Sequence, residues 1–526
     1  MFEQLSTPLI AGLFIVWFSF LLLSYKGQPK GLWTLALANT GERFGYYTML
    51  AVFVLFLGDN FGFDAGWASE TFSTFLSIVY LLPLFGGMMA DKWGYSKMVV
   101  IGIFIMFFGY LLLSIPMGGG NPALIAMCAG LLLVCLGTGL FKGNLQVMVG
   151  DLYNEAPYTD KRDAGFSLFY MAINVGALFA PTAAIKIMEW AQTSLGYTKA
   201  DSYHFAFAVA CVSVIVSILV YYLGKKTFAH IIGNKKADKA VQTQATTAPV
   251  EEANDTKERI VCLCLVFAVV IFFWMAFHQN GLTLTWFADE FTATSSTGIQ
   301  SMMFDVRNLL ACIFIVYGLF GLFQTKGTAR TLAMVLLVVG AAFLYMMVPA
   351  DGVVTAVSAP IFQQFNACFV VMLTPVSIAL FSWMGKKGTE PKAPVKIGMG
   401  MLVAAAAYII LAFCSVGLGQ PDPVNHTHMA DVSPNLLVNT YLILTFAELL
   451  LSPIGISFVT KVAPAKYKGM MMGGWFVATA IGNKLVGIPG HMWGMELTIV
   501  WGMLAGICLL AALFIFSIIK KLNKVS

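Results

Sequence analysis

Fifteen apolar stretches, each near or beyond the length of a bilayer-crossing helix, run through this 526-residue chain and decide what it can fold into. A helix needs about 20 apolar residues to cross the hydrocarbon core of a membrane. The stretches cover 7–24, 32–58, 67–90, 98–117, 122–147, 163–187, 203–223, 259–288, 306–324, 329–349, 360–384, 397–418, 436–460, 469–488 and 496–519. In hydrocarbon every backbone N–H and C=O must find its partner inside the protein, which selects helices. Hydrophobic residues make up 59% of the chain and charged residues 11%, too little polarity to coat a water-soluble fold of this size. The expectation is an all-α polytopic membrane protein. The first stretch follows MFEQLS, which has no basic residue, and runs into SYKGQPKG without a small-residue cleavage site. It reads as a retained helix and not as a signal peptide.

Lysine and arginine placement predicts the orientation. Alternate loops carry Lys26 and Lys30; Lys92 and Lys97; Lys161 and Arg162; the cluster between Lys225 and Arg259; Lys326 and Arg330; Lys386 to Lys396; and Lys461 to Lys468, with Lys520, Lys521 and Lys524 in the tail. Together they hold 25 of the 31 basic residues, so these loops are expected in the cytoplasm, with the N-terminus outside and the C-terminus inside. A plasma membrane, such as a bacterial inner membrane, is the expected location. The net charge of +5 then reflects membrane topology and not nucleic-acid binding. The nine cysteines lie in or near apolar stretches without a CxxC pair and read as small packing residues. His426 and His428 form an HxH in the loop PDPVNHTHMADVSPN, too few ligands for a metal site. No nucleophile elbow, metal-protease motif or phosphate loop is present, so an enzyme is the least favoured class.

One long polar segment, 225–257, separates two halves. Setting aside the first span (1–25), six spans precede this linker within 26–224. Eight follow it within 258–526, and the tight hairpin at about 306–349 reads as an insertion. A six-plus-six core with a basic central linker is the layout of a two-bundle transporter. The stretch GGMMADKWGYSK at Gly86–Lys97 fits Gly-x3-Asp-Lys-x-Gly and resembles the signature of the major facilitator superfamily. There Asp91 and Lys92 are candidate gate residues, with Asp91 expected to pair with a basic residue or a helix N-terminus and latch the inward side.

The polar residues inside the spans point to a cavity. In ANTGERFGYYTM (Ala38–Met49), Asn39, Glu42, Arg43, Tyr46 and Tyr47 fall at i, i+3, i+4, i+7 and i+8 on one helical face. Charges facing lipid are costly, so this face is expected to line a cavity; a buried Glu–Arg pair that only locks packing is the alternative. Other spans add Tyr80, Lys142, Tyr170, Asn174, His278, Asn366, Glu448, Trp475 and Thr479. Singly, Tyr80, Asn366 or Thr479 would pass as packing contacts between helices. As a set they place deep cations, Arg43 and Lys142, in the first half and, in the second, an acid with no basic residue nearby in its own helix, Glu448. A cavity with one cationic and one anionic wall fits a zwitterion.

ERFGYY at Glu42–Tyr47, FYMAINVGAL at Phe169–Leu178 and the run from Tyr441 to Gly482 resemble the proton-coupled oligopeptide transporter family over nearly the whole chain from Lys30 onward. The resemblance implies a major facilitator fold of two six-helix bundles plus about three extra helices. It also implies import of di- and tripeptides by alternating access, with the proton as coupling ion and no other cofactor. Positions matching the family's binding motifs are Arg43, Tyr46, Tyr47, Tyr80, Lys142, Asn174, Asn366, Glu448 and Trp475, with Thr479 where the family often has serine. Three departures stand out. The family usually has glutamate at Asn39, arginine at Leu50 and a glutamate in the helix that holds His278. Glu42, Arg43, Lys142 and His278 are therefore the candidate proton-coupling residues, with Glu42 expected to pair with both Arg43 and Lys142 in one state and a neutral hydrogen-bonding histidine as the alternative reading of His278. Competing readings are a carrier of another small zwitterion, drug or anion on the same scaffold, and a non-transporting membrane sensor.

Overall fold

The computed structural model describes residues 2–154, 156–232, 253–464 and 467–525. Most of the expected linker at 225–257 lies outside the described residues. Among the described residues, fifteen long helices carry the fold: α1 (Phe2–Ser24), α2 (Lys30–Phe61), α3 (Ala65–Trp93), α4 (Tyr95–Leu113), α5 (Asn121–Asp151), α6 (Arg162–Leu195), α7 (Lys199–Leu223), α8 (Ala253–Phe277), α9 (Val306–Gln324), α10 (Thr328–Met346), α11 (Gln363–Lys386), α12 (Ala393–Cys414), α13 (Asn435–Val462), α14 (Lys468–Leu485) and α15 (Leu497–Ser517). Fourteen of the described helical segments are long and apolar enough to cross a membrane. The exception is α14, whose sequence KGMMMGGWFVATAIGNKL is diluted by glycine and small residues. Its glycines serve packing instead. A Cβ at Gly474 would lie 2.7 Å from the Phe267 ring of α8, so the two helices touch closely.

Helices α2–α7 form one bundle, and α8 with α11–α15 form the other. Between α4 and α5 the contact is backbone on backbone. A Cβ at Gly102 would sit 2.6 Å from the Gly137 carbonyl, and one at Gly109 would sit 2.9 Å from that of Gly130. Lipid tails are as apolar as leucine, so such close van der Waals contact stands in for the hydrophobic drive available in water.

The span expected at 259–288 is not one continuous helix. It breaks at a 3-10 turn, His278–Gly281, and resumes as Thr283–Glu290. Gly281 meets the Phe72 ring of α3, where a Cβ would lie 2.7 Å away, so the break brings this segment against the first bundle.

The three helices outside the two bundles, α1, α9 and α10, gather into one group although about 280 residues separate the first from the others. Trp17 packs edge-on to Tyr317 at 5.5 Å, and Arg307 donates to Ser6 Oγ at 2.7 Å. The α9–α10 hairpin is pinched at its base by an antiparallel two-strand ladder pairing Ser295 with Ala356 and Thr297 with Val354. The group leans on both bundles. Phe14 meets Phe179 of α6 at 6.5 Å, and α9 packs against α11.

Candidate functional site

The polar stripe of α2 is aimed by its glycines. A Cβ at Gly45 would lie 3.0 Å from the Ala210 carbonyl, and one at Gly41 would lie 3.3 Å from that of Ser213. These close approaches seat one side of α2 on α7 and turn Arg43, Tyr46 and Tyr47 into a cavity of about 250 Å3 between the bundles. Eight elements line it: α2, α3, α5 and α6 from one bundle, and α8 with its following turn, α11, α13 and α14 from the other.

Two residues of the expected face do not line the cavity. Glu42 is completely buried and Asn39 nearly so. Neighbouring residues on a helix point about 100° apart, so with Arg43 facing inward Glu42 is turned aside. The guanidinium reaches back to it, with Nε 2.5 Å from Oε2 and Nη2 2.6 Å from Oε1. This two-pronged pair matches the planar shapes of both groups. Lys142 does not join it. Its ammonium sits 3.8 Å above the Tyr80 ring and, among the described residues, has no carboxylate partner. Arg43 has already taken both carboxylate oxygens of Glu42, which corrects the expectation of a three-member cluster in this state. The Tyr46 hydroxyl is buried without a hydrogen-bond partner, at the cavity wall.

The opposite wall is built around Glu448. Its carboxylate accepts from Tyr170 Oη at 3.2 Å and from Asn366 Nδ2 at 3.0 Å. Asn366 also donates to Thr445 Oγ1 at 3.0 Å. Asn174 spends one amide proton on the Tyr170 carbonyl at 3.0 Å and lines the cavity. Trp475 lies against Gly455, where any Cβ would strike the indole. Thr479 donates to the Trp475 carbonyl at 2.9 Å, so its hydroxyl proton is already used within its helix. Every residue expected to bind substrate thus lines this one cavity, including Tyr80 and Lys142.

His278 also lines it. The ring stacks on Trp274 at 4.9 Å, and Nδ1 lies 2.6 Å from Asn483 Oδ1. Asn483 in turn donates to the Leu76 carbonyl of α3 at 3.4 Å. Beyond this point the bundles close on each other. Lys484 binds Glu70 and, at 2.7 Å, Thr74, and the Ala65 N–H donates to the Pro423 carbonyl at 2.7 Å. In the other direction the cavity continues past Gln146, Ser452 and Ile456. Asp91 and Lys92 lie near that second end. Asp91 is bonded by the Tyr95 hydroxyl and not by a basic residue, and among the described residues Lys92 has no ion-pair partner.

Several lining residues are not singled out by the sequence pattern, Gln146, Trp274, Gln363 and Phe476 among them. Gln363 has a signal, lying three residues before Asn366, and it spans the bundles by donating to the Ala51 carbonyl at 3.3 Å. Asn483, four residues after Thr479, has the same kind of signal. The signals of Trp274 and Phe476 are weaker. In apolar runs such as FWMAF nothing separates a lining ring from a packing one.

A family model described as the POT family matches residues 96–254 and 345–492. The chain belongs to the POT family. One relative, the uncharacterized transporter YclF of Bacillus subtilis, is 29% identical over 520 residues, covering 92% of this chain and 94% of that protein. The peptide transporter YePEPT of Yersinia enterocolitica is 30% identical over 498 residues, covering 89% of each chain. The crystal structure of a peptide transporter POT in complex with sulfate has the same fold, with a TM-score of 0.71 and 24% identity over 94% of this chain and 96% of that one. This POT-family chain is a multi-pass membrane transporter and not an enzyme.

Proposed function

We propose that this chain imports di- and tripeptides by alternating access, coupled to proton entry. The observation that carries the reading is the polarity of the cavity. Among the described residues, Lys142 stands without a carboxylate partner on one wall, and Glu448 stands without a basic partner on the other, each held by neutral neighbours. A peptide's carboxylate satisfies the first and its ammonium the second, while the Tyr46 hydroxyl and Asn174 serve the amide between them. The family membership and the peptide transporters among the relatives support the same substrate class.

In this reading the lysine-rich ends face the cytoplasm, and the Glu70–Lys484 end is the closed outer gate. The described state is then inward-facing. The two bundles, 26–224 and 258–526 less the hairpin, rock about the cavity, with 1–25 and the hairpin as additions and 225–257 as the connecting linker. His278 joins the cavity to the outer gate through Asn483, which makes it the candidate for part of the proton coupling in place of the missing acid at Asn39. Competition in proteoliposomes tests the substrate class. Unlabelled dipeptides are expected to block uptake of a labelled dipeptide, while free amino acids and unrelated organic anions do not. Competition by the anions instead supports the rival carrier, and binding without counterflow supports a sensor.

A further inference from the structure

A second cavity, of about 910 Å3, lies away from the central one. It opens at the basic end of the first bundle, between the start of α4, the ends of α5 and α7, and the turn after α7. Lys92, Lys97 and Lys225 are exposed at its rim, beside Trp93 and Tyr222. Neither Lys92 nor Lys97 has an ion-pair partner among the described residues. Two acids also line the cavity. Asp91 accepts from the Tyr95 hydroxyl, and Asp151 accepts from Asn154 at 3.1 Å, against the three lysines at the rim. The floor is braced by Ser96 and Tyr221, whose hydroxyls are 2.8 Å apart.

An apolar track leaves this basic cavity along the membrane face. Ile101, Phe104 and Phe108 are exposed on one side of α4, at i, i+3 and i+7. Val212, Val216 and Leu219 are exposed on α7, which packs beside α4. Cations at the headgroup level, aromatic rings at the interface and an apolar track below them are the three parts of a lipid site. We propose that this cavity holds the headgroup of an anionic phospholipid, its phosphate between Lys97 and Lys225 and its acyl chains along α4 and α7. The site is independent of the peptide-binding cavity.

The test uses the full-length protein in mild detergent, with lipid retention read by native mass spectrometry. Phosphatidylglycerol is expected to stay bound where phosphatidylcholine is lost. Each basic residue near a membrane surface contributes about a fivefold factor in binding anionic lipid. The double variant Lys97→Gln/Lys225→Gln is therefore expected to retain phosphatidylglycerol about thirtyfold more weakly. Lys97→Arg/Lys225→Arg keeps it, and Lys520→Gln/Lys521→Gln at another basic end leaves it unchanged. Equal retention of the two lipids, or an equal loss in the Lys520/Lys521 variant, overturns the site. Displacement of phosphatidylglycerol by inorganic phosphate alone at millimolar concentration also overturns it, because it shows an anion site that does not read the lipid.

Discussion

Tyr170 of α6 donates to Glu448 of α13 at 3.2 Å, a hydrogen bond that crosses the central cavity between the two bundles. The other partner of this carboxylate is the neutral amide of Asn366. Both partners are uncharged, so the carboxylate has room for one charged visitor. Hydrogen bonds to charged groups are worth about 1.5–3 kcal/mol. Glu448→Gln is expected to cut the preference for a free over an N-acetylated dipeptide by about ten- to a hundredfold. Competition curves for the two ligands measure it.

Glu42→Gln tests the opposite wall. It leaves Arg43 buried without its counter-charge, and breaking a buried pair in this way costs about 3–5 kcal/mol. A lowered unfolding temperature is expected in detergent, larger than for Asn39→Gln, whose side chain makes no ion pair. If the two variants melt together, the Glu42–Arg43 pair is not a structural anchor.

The outer gate is held by modest contacts. Lys484 and Glu70 are both about half exposed, and exposed pairs contribute about 0–1 kcal/mol. Lys484→Ala is expected to speed modification of a cysteine placed at Ser73 by about 1.5- to fivefold. No change in labelling, with substrate transport equally unchanged, removes this pair from the gate.

The loop over the outer end has its own pH response. His428 is raised above the ordinary histidine value, first by donating to the Asp289 carbonyl and then by Asp431. That contribution is full below about pH 6.5 and fades as pH rises through the raised value. Asp422 is held down at about 2 by the N–H groups of Asn425 and Val424 and by the Thr427 hydroxyl. Its contribution is present above about pH 3.9 and fades as pH falls through about 2. The loop is expected to be tightest between these limits. Amide exchange across 419–434, corrected for its intrinsic pH dependence, should quicken above neutrality in the native chain and not in His428→Gln.

Much of the cavity could be read in the sequence because hydrocarbon enforces a simple rule. A polar residue inside a long apolar helix must face something, and Arg43, Lys142 and Glu448 all face the same cavity. The helical period does not resolve which members of a stripe point inward. Glu42 and Arg43 are adjacent, and only the contact of Gly41 and Gly45 with α7 decides between them. The pairing of Lys142 with Glu42 is not made in the described state for a related reason, since a sequence shows the charges but not which one captures both carboxylate oxygens. The joining of α1 to the α9–α10 hairpin was also invisible. It rests on ring contacts such as Trp17 with Tyr317, and apolar faces all look alike in a membrane chain.

Dipeptide uptake into liposomes, with and without an inward proton gradient, tests proton-coupled peptide import most directly when the native chain is run beside His278→Ala. Gradient-driven accumulation is expected in the native chain, and weaker accumulation with counterflow retained in His278→Ala. Absence of dipeptide uptake under any gradient contradicts the substrate assignment, and unchanged accumulation in His278→Ala contradicts the role given to the histidine.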